Sequence, residues 1–109
     1  LAPRGQREMQ FVQRLRQAVD DDRIGVELQP KFRVADGGLA GFEALARWAP
    51  CGEPVPPSRF INLAERYGLI EALGDRVLAR VLRIQRGWLD QGLRVPRVAV
   101  NLSAPQVQR

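Results

Sequence analysis

Two residues of this 109-residue chain place oxygen ligands on otherwise apolar, strand-like runs. Glu43 lies within Phe42-Glu43-Ala44-Leu45-Ala46-Arg47, and Asn101 follows Val98-Ala99-Val100. A carboxylate on the inner face of a buried strand is costly unless it is paired or binds a metal. A hard divalent cation such as Mg²⁺ or Mn²⁺ takes oxygen ligands, so a Glu carboxylate and an Asn carbonyl form part of a set. Each residue also has a purely structural reading. Glu43 could bridge to Lys31 across a hairpin or to Arg47, and Asn101 could be a turn-forming amide. Arg47 reads as an ion-pair partner or a phosphate clamp, and Gln29 as a solvated strand residue or a substrate donor. Residue types alone favour the structural reading in each case and lead no further than a candidate anion and metal site.

Composition narrows the remaining chemistry. There is no histidine and a single cysteine, Cys51, which excludes an internal disulfide, His/Cys zinc sites and His-based triads. Catalysis would have to rest on carboxylates, amides, Arg and metal. The length, with 45% hydrophobic and 27% charged residues, describes one globular unit. No apolar run approaches the roughly 20 residues of a membrane span, and the first residues lack the apolar core of a signal peptide; a cytoplasmic location and no direct membrane contact are expected. The net charge is +5, but sixteen of the seventeen basic residues are Arg and the aromatics are scattered. That pattern reads as genomic composition rather than a nucleic-acid surface, and no nucleic-acid partner is expected. A first residue that is Leu, and a strand-like run that stops near Arg109, suggest part of a longer chain.

The elements that must position these groups follow from periodicity. Met9, Val12, Leu15 and Val19 form the stripe of an amphipathic helix over Gln6 to Asp20. The run Asp20-Asp21-Asp22 opposes the helix dipole at its carboxyl end, so the helix should stop there. Ile24 to Val34 alternates, with Val26, Leu28, Pro30 and Phe32 on one face and Glu27, Gln29, Lys31 and Arg33 on the other. Pro30 marks an edge or bulged strand. Asp36-Gly37-Gly38 supplies a hairpin turn, and Leu39 to Trp48 is the second strand, with Phe42, Ala44, Ala46 and Trp48 on one face. A three-residue loop sets Gln29 opposite Leu45 and Lys31 opposite Glu43, which keeps the polar faces together. A Gly- and Pro-rich loop precedes a short helix from Ser58 to Tyr67, closed by Gly68. A longer helix follows on Ile70, Leu73, Val77, Val81, Ile84 and Trp88, with Arg76, Arg80 and Arg83 expected on its solvated face. Arg97 to Leu102 is a final β run. The order helix, strand, strand, helix, helix, strand indicates an α/β fold.

Four segments in order carry a family resemblance: Leu28-Gln29-Pro30, Gly41-Phe42-Glu43-Ala44-Leu45-Ala46-Arg47-Trp48, Pro57-Ser58-Arg59-Phe60-Ile61-Asn62-Leu63-Ala64-Glu65, and Val100-Asn101-Leu102-Ser103. Together they resemble the amino-terminal part of the EAL domain, whose members hydrolyse the bacterial second messenger cyclic di-GMP. The match runs from about Leu15 to Val107. The resemblance implies a TIM-like (β/α)₈ barrel with an antiparallel first strand, of which residues 1–109 would be the amino-terminal portion. It further implies that Glu43 and Asn101 bind a catalytic Mg²⁺ or Mn²⁺, and that Gln29, Leu45 and Arg47 contact the dinucleotide. Arg suits phosphate because its planar fork donates two parallel hydrogen bonds. In the family two metals activate water for in-line attack on one phosphodiester bond, giving linear pGpG.

Ala46 departs from the family, which commonly has Leu there; by alternation it points away from Glu43 and Arg47, so a packing difference is expected. The family's later acidic ligands and its Lys would all follow Arg109. A TIM barrel takes on the order of 250 residues, so 109 residues are expected to be inert alone. The leading expectation is the first part of a phosphodiesterase whose parent carries sensory or GGDEF modules. The alternative is a degenerate EAL domain acting as a cyclic di-GMP receptor or protein-interaction module. Uncovered strand edges predict a homo-oligomer or swapped assembly.

Overall fold

A computed structural model describes residues 4–102; Ser103 of the last motif and the chain up to Val107 lie outside the described residues. The elements are α1 (Arg4–Asp20), β1 (Gly25–Phe32), β2 (Leu39–Arg47), α2 (Pro57–Arg66), α3 (Ile70–Asp90) and β3 (Val98–Val100). The sheet order is β1-β2-β3, with β1 and β2 antiparallel and β2 and β3 parallel. The result is the expected mixed α/β arrangement: a hairpin followed by a two-helix crossover into a third strand. No helix among the described residues is long and apolar enough to cross a membrane.

One apolar core lies between the sheet and the three helices. Val12, Leu15, Ala18 and Val19 of α1 are buried, as are Phe60, Leu63 and Ala64 of α2 and Leu73, Val77 and Val81 of α3. The α1 stripe is rotated slightly from the sequence reading. Met9 is 44% exposed, and Phe11 packs against the core in its place. Trp48, just past β2, joins two helices to the sheet. Its ring meets Phe11 of α1 at 5.2 Å and Phe60 of α2 at 5.9 Å, both edge to face, a geometry that suits the ring quadrupoles. Phe42 of β2 lies 5.8 Å from Trp88 of α3. Ala46 is 2% exposed and faces Val26 across the hairpin, so its small side chain belongs to the core and not to the polar face.

The hairpin differs from the sequence reading in register. Gln29 pairs with Glu43, not Leu45, and Lys31 pairs with Gly41, not Glu43. Every β1 residue of the regular ladder meets a β2 residue two positions earlier than expected. The cause is the turn. Arg33 N–H donates to Gly38 O at 2.7 Å, and Gly37 N–H donates to Arg33 O at 2.8 Å. Asp36 Oδ1 accepts from Gly38 N–H at 2.9 Å and from Arg33 Nε at 3.0 Å. This side-chain-braced loop needs the residues from Arg33 to Gly38, with Gly37 at φ 72°, and a register irregularity between Lys31 and Phe32 absorbs the remainder. A two-residue displacement preserves the alternation, so the polar and apolar faces still coincide. Among the described residues β1 lies at the sheet edge, one of the two placements expected from Pro30.

Arg76, Arg80 and Arg83 are not a free solvated face. α1 has no basic residue in its last turn, leaving carbonyls without an intrahelical partner. α3 supplies the donors instead: Arg76 Nε to Val19 O at 2.7 Å, Arg76 Nη2 to Asp20 O at 2.8 Å, and Arg80 Nη2 to Asp22 O at 2.5 Å. Arg83 Nη2 reaches Asp22 Oδ2 at 3.2 Å. The hydrogen bond from Arg83 holds the Asp22 carboxyl below its ordinary value, with the Arg80, Arg83 and Arg76 charges adding to it against a smaller desolvation effect. Asp22 itself turns the chain at φ 56°. The acidic run thus ends α1 and anchors it to α3.

Candidate active site

The polar face of the hairpin carries the residues singled out from sequence. β1 contributes Glu27, Gln29 and Lys31, and β2 contributes Glu43, Leu45 and Arg47. The ladder sets Gln29 directly opposite Glu43 and Glu27 opposite Leu45. Two ion pairs cross the strands on this face. Lys31 Nζ lies 3.9 Å from Glu43 Oε2, and Arg47 Nη2 lies 3.3 Å from Glu27 Oε1. Of the two partners sequence offered to Glu43, the structure selects Lys31. Arg47 takes Glu27, a residue the sequence reading did not single out, although its place on the polar side of β1 was the available signal. Arg47 also donates from Nη1 to Ala46 O at 3.1 Å.

β3 brings the last residue into line. The parallel register pairs Glu43 with Ala99 and Ala44 with Val100. Asn101 follows directly on the end of β3, two residues past Ala99, the register partner of Glu43, which is the strand period that returns a side chain to the same face. Asn101 is exposed. This adjacency depends on Gly41, whose φ is 151°. A Cβ there would fall 2.6 Å from Arg97 O, the oxygen that accepts from Phe42 N–H at 2.8 Å.

The hairpin face therefore presents two carboxylates, Glu27 and Glu43, and the Gln29 amide, with a guanidinium at one end and an ammonium at the other, and Asn101 follows directly on the end of β3. Glu43 is partly shielded, its side chain 27% exposed, whereas Lys31 and Glu27 are 52% and 66% exposed. Each β2 charge is thus held by a β1 partner that water can readily solvate. Glu43 and Asn101 are oxygen donors on one face, a set that fits a hard cation as part of its shell. Among the described residues no group of three or more His, Cys, Asp and Glu is assembled for a metal.

The family model described as "EAL domain" matches residues 12–109. An uncharacterized signaling protein of Caulobacter vibrioides is 48% identical over 94 residues, covering 85% of this chain and 11% of that protein. The cyclic di-GMP phosphodiesterase NbdA of Pseudomonas aeruginosa is 41% identical over 110 residues, covering 100% of this chain and 14% of that protein. The oxygen sensor protein DosP of Escherichia coli K12 is 43% identical over 91 residues, covering 83% and 11%. A solved structure described as the PaMucR phosphodiesterase in complex with c-di-GMP superposes with a TM-score of 0.77 at 41% identity, over 89% of this chain and 40% of that one. The chain thus spans about a seventh or less of these curated relatives.

Proposed function

Since the chain belongs to the EAL domain family, we propose that it forms the first part of a phosphodiesterase domain that hydrolyses cyclic di-GMP to linear pGpG. β1, β2 and β3 then correspond to the opening strands of a TIM-like (β/α)₈ barrel whose first strand is antiparallel. The carrying observation is the hairpin face: Gln29 opposite Glu43, with Arg47 on the same strand as Glu43 and Asn101 one residue past the end of the neighbouring β3. The name of NbdA and the ligand of the PaMucR structure support cyclic di-GMP as the substrate.

In this reading Glu43 and Asn101 hold a divalent cation, Mg²⁺ or Mn²⁺, within a two-metal site completed by residues beyond this segment. Such a centre supplies a nucleophile by lowering the pKa of bound water and neutralises charge developing on the phosphate. The chain's own residues bind and orient. Arg47 exchanges the exposed carboxylate of Glu27 for a phosphate oxygen pair, which its planar fork matches better than a single carboxylate oxygen. Gln29 offers an amide beside Glu43, and Leu45 gives the dinucleotide an apolar contact between them. The domain is cytoplasmic, and its parent joins it to sensory or GGDEF modules.

The test is cyclic di-GMP turnover with Mg²⁺ or Mn²⁺ by a complete EAL domain carrying this segment, by its Glu43→Ala variant and by the 109-residue chain alone. The complete domain is expected to turn over, and both others to be inert. Tight binding by the complete domain without turnover would replace this reading with that of a receptor. Turnover by the 109-residue chain would overturn its assignment as an incomplete site.

A further inference from the structure

The only lysine in a chain with sixteen arginines is Lys31, and its ammonium is the group paired with Glu43, at 3.9 Å. The residue directly across from Lys31 is Gly41, so no side chain stands between the ammonium and the carboxylate on the neighbouring pair. Two other cations of the hairpin are engaged elsewhere. Arg47 is held by Glu27, and Arg33 by Asp36 and the Leu39 carbonyl.

We propose that Lys31 is a positioning residue for the cation site: it is the resident counter-ion of Glu43, and a divalent cation binds by displacing it. This rests on the preceding assignment of Glu43 as a metal ligand. Glu43 is only partly exposed, so an ion there must be compensated in the metal-free state. An ammonium suits that role because it is a compact, strongly hydrated charge that leaves without breaking a bidentate contact. A guanidinium could engage both carboxylate oxygens at once and would be harder to remove. The exposed stem of Lys31 gives the displaced ammonium a route into water.

The experiment measures Mn²⁺ affinity of a complete EAL domain carrying this segment, in the absence of nucleotide, from the free-Mn²⁺ paramagnetic resonance signal. Lys31→Met is expected to tighten Mn²⁺ binding about two- to five-fold, the scale of an exposed ion pair. The gain should shrink at high salt. Lys31→Arg should weaken binding, and Glu43→Gln should remove most of it. The Lys31 side chain is half exposed, so circular dichroism of both variants should match that of the unsubstituted domain. Equal or weaker Mn²⁺ binding by Lys31→Met, with Glu43→Gln still defective, would overturn the counter-ion role and leave the metal assignment standing. Unchanged binding in Glu43→Gln would overturn both.

Discussion

The space where Gly41 would carry a Cβ is occupied by the carbonyl oxygen of Arg97, 2.6 Å away. That oxygen accepts the Phe42 amide, so the contact that excludes a side chain is the same one that starts the β2–β3 pairing. The register of Glu43 with Ala99, and with it the approach of Asn101, therefore rests on a glycine two positions before Glu43.

Gly41→Ala should move β3 away from β2 as well as strain the backbone at φ 151°. In the complete domain the expected loss is about 1–3 kcal/mol of stability, the cost of holding a side chain in a sparsely populated backbone region. Denaturant titration measures it. Mn²⁺ binding should weaken in parallel; an unchanged affinity would show that β3 does not position a ligand.

Arg76→Ala removes two charge-assisted hydrogen bonds to the last carbonyls of α1, at Val19 and Asp20. A hydrogen bond involving a charged group is worth about 1.5–3 kcal/mol. Because Arg76 is only part-buried, the lower end of that range is expected. Arg86→Ala, whose partner Asp90 lies on its own helix at 3.2 Å with both side chains exposed, should cost less than about 0.5 kcal/mol. Equal effects of the two substitutions would refute the role of α3 in capping α1.

Two carboxylates make stability depend on acid. The Arg83 hydrogen bond lowers the Asp22 pKa, and the backbone amide of Gly38, followed by Arg33, lowers that of Asp36. A depressed carboxylate contributes stability that is fully present above the unfolded value, 3.8 for both groups. The contribution is lost as pH falls through the lower folded-state value. Thermal midpoints should therefore drop as pH falls below the ordinary carboxylate range, and Asp22→Asn should flatten part of that drop. A variant with the same acid slope as the unsubstituted protein would dismiss Asp22 as a source.

Taken by itself, the 109-residue chain should self-associate. β1 and β3 are both sheet edges, Phe32 is 62% exposed at the hairpin, and Leu78, Leu82 and Leu89 lie open on α3. Unpaired edges and contiguous apolar surface favour pairing with other copies. Sedimentation at micromolar concentration checks this, and a monodisperse monomer would contradict it.

Much of the site was legible without coordinates because its residues sit on short-period patterns. Alternation alone assigned Gln29, Glu43, Leu45 and Arg47 to one face and Ala46 to the other, and the register displacement by an even number left that assignment intact. Family resemblance rested on local strings, which a linear reading captures fully.

What the sequence determined by itself was the order and type of the elements, the faces of each strand, and the family. The tertiary structure decided which groups meet. The register of the hairpin depended on how Asp36 and Arg33 brace a turn, and residue spacing does not encode that geometry. The pairing of Arg47 with Glu27, and the recruitment of Arg76 and Arg80 to the end of α1, join residues twenty or more positions apart. Such partners are chosen by packing of the whole core, since a long cationic side chain can satisfy several alternatives until the backbone around it is fixed.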